Sequence, residues 1–258
     1  MVEGPTAKAY AIKISNGFRN EIVRDIYIKS RKVFVPEKGI VGKKFRGSDS
    51  IGKNILLFFD NKIVIRIHLM MFGAIHIYNI NDPLLKPKER VRLIVTGDQK
   101  KIVVYNAPIV ELDEESKILG RLKMELGPDP LSNEWDRTKA FENIVKFPEE
   151  KIGAVMLNQS VIAGIGNILR NEILFRAGVN PERRIKDLST DEIERIVDFA
   201  KKLSDEFLER KLHGKQIKDL LFVYNMFSGF CKVCAHPIKF YMQKPINRKT
   251  FVCENCQK

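Results

Sequence analysis

The chain has 258 residues, of which 45 are Lys or Arg and 32 are Asp or Glu, so its formal net charge is +13. This length permits one large domain or two to three small ones, and apolar runs no longer than ILLFF at residues 55–59 exclude a membrane-spanning helix. The positive charge indicates a polyanionic partner, most often nucleic acid, although a basic surface that serves only solubility gives the same composition.

The chain begins MVEGP, without the basic run and apolar stretch of a secretory signal. Pro5 suits the first turn of a helix, Ala7, Ala11 and Ile14 share one helical face, and Gly17 can end it. The only four cysteines lie in the last 28 residues. We therefore predict a short leading helix and an intracellular protein without disulfides.

Residues 1–112 are expected to form an N-terminal β-sandwich domain after that helix. The strand-like runs are EIVRDIYIK, KNILLFF, KIVIRIHL, GAIHIYNI, RVRLIVTG and KKIVVYNA, several of them separated by turn residues. Residues 113–147 contain LGPDPLSNEW and are predicted to be a linker. The chain is thus predicted to have an α+β, multidomain fold.

Residues 148–222 are predicted to be a helical domain. FPEEKIGAVMLNQ fits a helix start, NILRNEILFRAG ends at a glycine, and Ser189 with Glu192 forms a capping box before an amphipathic helix. Between the first two helices lies the turn AGIGN at residues 163–167. Free backbone N–H groups at a helix start attract phosphate, but a glycine needed only for packing fits this short motif equally.

Residues 223–258 carry the most specific local signal, two C-x2-C pairs separated by 18 residues. This spacing is typical of a zinc ribbon with four thiolate ligands, in which the ion is structural. A thiol-redox pair would need a thioredoxin-like βαβ context that the sequence lacks. The expected ligands are Cys231, Cys234, Cys253 and Cys256.

Three further motifs have an ordinary structural interpretation when each is taken alone. Met70, Met71 and Phe72 follow a predicted strand and would usually belong to a core, although such residues also form wedges between DNA bases. Lys53 precedes a predicted strand and would be a surface lysine. Arg248, near the tip of a predicted two-stranded ribbon, would be a solvated charge or a contact to DNA phosphate.

The order of these motifs resembles that of the formamidopyrimidine-DNA glycosylase / endonuclease VIII family of base-excision repair enzymes. The resemblance extends from MVEGP to CENCQK, and its most specific stretches are NQSVIAGIGNILRNEILFRAGVNP and NRKTFVCENCQK. These stretches are similar to the helix–two-turn–helix motif and the zinc-finger end of the family. The resemblance implies a bifunctional DNA glycosylase and abasic-site lyase that binds damaged DNA, and we expect a monomer.

The resemblance also implies roles for four catalytic residues. After removal of Met1, the α-amine of Val2 would form a Schiff base with C1′ of the deoxyribose, and Glu3 would protonate the sugar ring as general acid. Lys53 would hold a phosphate beside the lesion and assist β-elimination. Arg248 would bind the flanking phosphates and promote δ-elimination.

Four other residues would contact DNA by the same resemblance. Asn167 would hold the DNA backbone, and Met70, Met71 and Phe72 would fill the space left by the flipped nucleotide.

The sequence departs from the family pattern at several positions. Most relatives have proline where this chain has Val2, which matches some vertebrate members of the endonuclease VIII branch. KIVVYNAPIVELDE lacks the arginine–phenylalanine pair opposite the lesion, residues 212–224 are short where a lesion-capping loop occurs, and Gly153 replaces a common phosphate-binding lysine. These departures predict oxidised pyrimidines and hydantoins as substrates, in duplexes or in single strands.

Two other functions fit parts of the sequence. A non-catalytic zinc-ribbon DNA-binding protein would use the same helices and ribbon, but it has no need of Glu3, Lys53 or a processed terminus. An RNA- or ribosome-associated zinc-ribbon protein is compatible with the positive charge.

Overall fold

The computed structural model describes residues 2–29, 32–33 and 37–258, with backbone alone at residues 32, 33, 37 and 38. Met1, whose removal the sequence predicts, lies outside the described residues. The chain divides into two compact units, the first containing Val2 and Thr6–Met124 and the second Glu3–Pro5 and Glu125–Lys258. Within the described ranges, no helix combines the length and the hydropathy that crossing a bilayer requires.

Helix α1 spans Gly4–Gly17 and is followed by nine strands among the described residues. Helix α2, Glu115–Glu125, comes after the last of these strands. The strands are β1 (Asp25–Ile28), β2 (Lys32–Val33), β3 (Phe45–Ile51), β4 (Asn54–Phe59), β5 (Ile63–His68), β6 (Ala74–Asn79), β7 (Val91–Thr96), β8 (Lys100–Tyr105) and β9 (Ile109–Glu114).

The strands of the first unit form two sheets with a common core. One sheet has the order β1-β7-β8-β6 and the other β2-β9-β5-β4-β3, and every pairing is antiparallel except that of β2 with β9. Alternate apolar side chains of both sheets join Ala7, Ala11 and Ile14 of α1, and Phe18 after it, in one buried cluster. Burial of this apolar surface is the main favourable contribution to the stability of the unit.

The six predicted strand runs correspond to β1, β4, β5, β6, β7 and β8. The sequence predicts no strand at β2, β3 or β9, and the β3 segment FRGSDSI has no continuous apolar alternation. β3 forms because it pairs along its length with the strongly apolar β4.

The second unit contains α3 (Arg137–Val145), α4 (Ile152–Val155), α5 (Asn167–Ala177) and α6 (Thr190–Leu212). The predicted capping box is confirmed, since Ser189 and Glu192 bond reciprocally at the start of α6. α5 ends at Gly178, whose φ of 75° is the left-handed conformation that glycine adopts without strain. The span predicted as a linker, residues 113–147, contains α2 and α3.

The last element is an antiparallel hairpin of β10 (Lys239–Gln243) and β11 (Arg248–Val252). Its apolar side chains pack in a small cluster with Phe175 of α5 and with Cys231 and Cys253. The predicted α+β fold, with N-terminal sheets, a helical region and a cysteine-bearing ribbon, is confirmed.

Candidate active site

The Glu3 carboxylate lies at the N-terminus of α5 within the second unit. Its Oε1 accepts a hydrogen bond from the backbone N of Ile168 at 2.7 Å, and its Oε2 accepts one from the backbone N of Leu169 at 3.1 Å. The side chain is 3% exposed. The first N–H groups of a helix have no partner inside the helix, and they carry the positive end of its dipole. Glu3 is therefore held in one orientation by α5.

The glycines of the AGIGN turn make room for the N-terminal segment. A Cβ at Gly166 would lie 2.4 Å from the Cδ of Glu3, so any side chain there would force the Glu3 carboxylate to move. The backbone N of Gly4 donates to the carbonyl of Gly164 at 2.9 Å. The interpretation of these glycines as packing residues is thus correct. The group that packs against Gly166 is the carboxylate of Glu3, which is a predicted catalytic residue.

Asn167, the first residue of α5, is buried and faces the hairpin. Its Nδ2 donates to the carbonyl of Lys249 at 2.9 Å, whereas its Oδ1 has no hydrogen-bond partner among the described residues. The side chain therefore bonds the hairpin, and its predicted contact with the DNA backbone stays a prediction.

Arg170 is fully buried and joins α5 to both hairpin strands. Its guanidinium donates to Gln243 of β10 at 2.8 Å and to Thr250 of β11 at 2.6 Å. Burial lowers the pKa of Arg170 to about 10, so the group is still charged at neutral pH. Arg248 is the exposed first residue of β11, opposite Gln243, as predicted for a ribbon tip.

Lys53 lies in the first unit, in the tight turn between β3 and β4. Gly52 has a φ of 57°, and the side chain of Asn54 closes the turn by donating to the carbonyl of Ile51 at 3.0 Å. Asn54 in turn accepts from the Nε of Arg66 at 2.9 Å. A side-chain network thus fixes the turn that carries Lys53.

The segment after β5 projects its side chains outward. Met70, Met71 and Phe72 are 45%, 49% and 77% exposed. The interpretation of these residues as core, which the sequence alone favours, is wrong. The backbone N of Val2 donates to the carbonyl of Met70 at 3.1 Å.

The four cysteines form one cluster in the second unit. Their sulfur atoms all lie within 4.8 Å of one another, with 3.9 Å between Cys231 and Cys256 and 3.4 Å between Cys234 and Cys253. Four sulfurs about 2.3 Å from a tetrahedral ion are about 3.8 Å apart. The donor set and its spacing fit a closed metal site.

The sequence interpretation missed two residues that organise these groups, Arg170 and His68. The latter accepts a hydrogen bond at Nδ1 from the backbone N of Met70 at 3.2 Å. The signal available for His68 was its position on β5, where it alternates with Arg66 within an otherwise apolar strand. Nothing in the sequence distinguishes Arg170 from an exposed helical arginine.

Two family models match most of the chain. The formamidopyrimidine-DNA glycosylase N-terminal domain matches residues 1–108, and the formamidopyrimidine-DNA glycosylase H2TH domain matches residues 126–219.

Similar proteins include a formamidopyrimidine-DNA glycosylase of Carboxydothermus hydrogenoformans, 28% identical, with 93% of this chain and 91% of that protein covered. A probable endonuclease 8 of Streptomyces coelicolor is 28% identical over 80% of this chain and 76% of that protein. Among solved structures, one similar fold is that of the glycosylase of Lactococcus lactis, bound noncovalently to DNA that contains an abasic site. The two structures superpose with a TM-score of 0.88 over 99% of this chain and 99% of that one, and their sequences are 22% identical.

Proposed function

Because the chain belongs to the formamidopyrimidine-DNA glycosylase / endonuclease VIII family, we propose that it excises oxidised bases through a Schiff base on the α-amine of Val2. Base-excision repair and the combined glycosylase and abasic-site lyase activity follow from the family.

The observation that carries the proposal is the anchoring of Glu3 to two backbone N–H groups of α5. A protein that only binds DNA could cap α5 from any segment and does not require this carboxylate to lie directly after its N-terminal residue. A general acid must be held in a fixed position relative to the proton acceptor, and two hydrogen bonds from a helix provide this.

The proposed reaction begins with the neutral α-amine of Val2, whose ordinary pKa of about 7.7–8.0 leaves part of the population unprotonated at pH 7. The nitrogen attacks C1′, the glycosidic bond breaks, and the base leaves with the bonding electron pair. The nitrogen, which becomes positively charged on attack, gives one of its protons to the departing base. Its lone pair then displaces O4′ as Glu3 protonates that oxygen, so the C1′–O4′ bond breaks and an iminium forms between Val2 and C1′.

Three other groups act on the DNA backbone in this proposal. Lys53 holds a phosphate beside the lesion and assists β-elimination. Arg248, exposed at the hairpin, binds the flanking phosphates and promotes δ-elimination. Asn167 holds the DNA backbone at the start of α5, and its unsatisfied buried Oδ1 is compatible with a rearrangement when DNA binds.

Met70, Met71 and Phe72 are proposed to enter the duplex when the damaged nucleotide flips out. Flipping costs a few kcal/mol, and exposed apolar side chains offset part of this cost by stacking on the neighbouring bases. Their exposure supports this role, because apolar groups already in water gain by entering the base stack.

We propose oxidised pyrimidines and hydantoins as the preferred lesions, in duplex or single-stranded DNA. The segment KIVVYNAPIVELDE, residues 101–114, lacks the arginine–phenylalanine pair that the resemblance leads us to expect opposite the lesion. Gly153 is buried, and a Cβ there would lie 2.5 Å from the Oε1 of Gln243, so this position has no room for a phosphate-binding lysine.

Zinc is the proposed ion of the four-cysteine cluster, which Cys231, Cys234, Cys253 and Cys256 would hold. With four thiolate ligands and no open position, the ion would stabilise the hairpin that carries Arg248 and take no part in bond breaking.

The proposal is tested by borohydride trapping on oligonucleotides that contain thymine glycol. The wild-type protein should form a covalent adduct whose mass includes the peptide beginning at Val2, and acetylation of that amine should abolish the adduct. Glu3→Gln should lower the rate of base excision by about 10²–10⁴-fold while DNA binding persists. An adduct of undiminished yield on the acetylated protein contradicts the mechanism.

The lesion preference is tested separately with a panel containing thymine glycol, a hydantoin and 8-oxoguanine paired with cytosine, in single- and double-stranded form. Faster excision of 8-oxoguanine than of the other lesions contradicts the substrate assignment alone.

A further inference from the structure

We propose that the carbonyl of Met70 positions the Val2 nitrogen for attack, and that His68 is the positioning residue that fixes this carbonyl. The inference rests on the proposed function, because it concerns the same nucleophile. It adds a link within the first unit between the amine and the wedge loop, defined here as residues 69–73.

The wedge loop is tightly closed at its base. The backbone N of Gly73 donates to the carbonyl of Leu69 at 3.0 Å, and Leu69 is fully buried in the core of the first unit. A Cβ at Gly73 would lie 2.7 Å from the Leu69 carbonyl oxygen. The exposed side chains of the loop therefore project from a backbone that is anchored at both ends.

His68 fixes the first peptide of the loop. Its Nδ1 lies 3.2 Å from the backbone N of Met70, a donor, so Nδ1 must be unprotonated to accept the hydrogen bond. Burial, and then the charges of Arg66 and Lys53, lower the pKa of His68 to about 4. The imidazole is therefore neutral at physiological pH, and this contact is available throughout the working range of a repair enzyme.

Met70 itself has a left-handed backbone conformation, with a φ of 51°. Residues other than glycine, asparagine and aspartate adopt this conformation at a cost, and they retain it where surrounding contacts impose it. Here the contact from His68 and the closure by Gly73 hold the turn. The result is that the Met70 carbonyl accepts a hydrogen bond at 3.1 Å from the backbone N of Val2, the nitrogen that becomes the α-amine once Met1 is removed.

This carbonyl suits a primary amine throughout the reaction. A neutral amine on Val2 has two N–H bonds, so one can point to Met70 while the lone pair remains available for C1′. After base loss the iminium nitrogen of valine still carries one N–H, which can keep the same acceptor. An iminium formed on proline has no N–H, so the acceptor would lose its partner at that stage.

A consequence is that wedge insertion and nucleophile placement are coupled. The side chains that would enter the base stack and the carbonyl that holds the amine belong to the same closed loop. Loss of the His68 contact should therefore misplace the amine even though the exposed wedge side chains are unchanged.

The test compares His68→Leu with His68→Asn in single-turnover trapping on DNA containing thymine glycol. Leucine removes the acceptor, and we expect the rate of adduct formation to fall about tenfold to a hundredfold, as expected for a misplaced reacting group. Asparagine can accept from the N–H two residues later in an Asx turn, and it should recover most of the rate. Affinity for DNA carrying a tetrahydrofuran abasic analogue should be the same in all three proteins.

His76→Leu in β6 is the matched control for loss of a histidine from the sheets. This variant should form the trapped adduct at the wild-type rate. The inference is overturned if His68→Leu forms the adduct as fast as the wild type. It is also overturned if His68→Leu and His68→Asn form the adduct equally slowly. Failure of the wild-type protein to form any adduct would contradict the proposed function instead, so the two outcomes are distinguishable.

Discussion

The wedge loop and the AGIGN turn are two short, glycine-bearing loops that hold proposed catalytic groups in different ways. In the wedge loop the backbone is fixed and the side chains of Met70, Met71 and Phe72 are exposed. In the AGIGN turn the glycines are buried and a side chain from another segment, Glu3, occupies the space they leave. The difference matches the proposed roles, in which the wedge side chains contact DNA and Glu3 is fixed before DNA binds.

Metal removal should have the largest effect, and it should act on the AGIGN side of this comparison. Structural zinc contributes an apparent free energy of about 10–16 kcal/mol in small zinc modules, so its loss should unfold the hairpin. Asn167 and Arg170 would then lose their hydrogen-bond acceptors on β10 and β11. Arg248 would lose its fixed position at the start of β11.

Chelation should therefore release one zinc per chain and abolish strand cleavage, measured by metal analysis and by gel assay on the same sample. Re-addition of zinc should restore cleavage. Full activity of a metal-free sample would contradict the structural role of the cluster.

Gly166→Ala should have the next largest effect, because it fills the space that Glu3 occupies. The new Cβ would lie within 2.5 Å of three Glu3 atoms, so the carboxylate must move. A displacement of about 1 Å costs on the order of 10²-fold in rate, and overpacking costs about 1–3 kcal/mol in the free energy of unfolding.

The matched control is Gly120→Ala in α2, where no atom lies within 4 Å of the added Cβ. It should raise the free energy of unfolding by about 0.5–1 kcal/mol and leave excision unchanged. Excision rates and urea unfolding curves of both variants check the prediction, and equal rates for the two alanine variants would contradict it.

Replacing the exposed wedge should impair flipping without affecting stability. Phe72→Ala removes a side chain that is proposed to stack on bases and that packs little in the free protein, so excision from duplex DNA should slow about tenfold. The free energy of unfolding should change by less than about 0.5 kcal/mol.

Fluorescence of a 2-aminopurine next to the lesion measures flipping directly in the Phe72→Ala protein. Single-stranded substrate, in which no stack needs filling, is the control and should be cleaved at nearly the wild-type rate. Equal slowing on both substrates would contradict a wedge role.

The sequence predicts local patterns well, and it does not predict contacts that depend on the rest of the fold. The four-cysteine spacing, the capping box at Ser189 and the glycine end of α5 are local patterns, and each recurs in the structure. The exposure of Met70, Met71 and Phe72 contradicts their local apolar pattern, because closure of the loop by Gly73 turns the chain away from the core.

Long-range contacts are the part that no local pattern reveals. The contact of Glu3 with α5 joins residues 165 positions apart, and that of Arg170 with Thr250 joins residues 80 positions apart. Gly166 appears in the sequence as one half of a weak GxG motif, since the group that excludes a side chain there is remote in the chain.

The smallest expected effect is a change in the pH dependence of stability caused by His68, which anchors the wedge-loop side of the comparison. Its pKa is about 4 in the folded protein against an ordinary value near 6.5, so between these pH values the unfolded chain binds more protons. Stability should therefore fall as the pH decreases from about 6.5 to 4, and this contribution should be fully present above 6.5. Arg66 and Lys53 are the charged groups that add to the effect of burial.

In His68→Asn this contribution is absent, so the free energy of unfolding should decrease less steeply with falling pH than in the wild type. Above pH 7 the two curves should run parallel, because His68 is neutral in both the folded and the unfolded wild-type protein. The side chain is only partly buried, so solvent screening reduces the difference below the value that the pKa shift alone implies. Urea unfolding at pH 4.5, 5.5, 6.5 and 7.5, with the range chosen to bracket the two pKa values, measures both slopes. Identical slopes would mean that protonation of His68 costs the folded state nothing, and that Nδ1 does not need to accept the Met70 hydrogen bond for the wedge loop to keep its conformation.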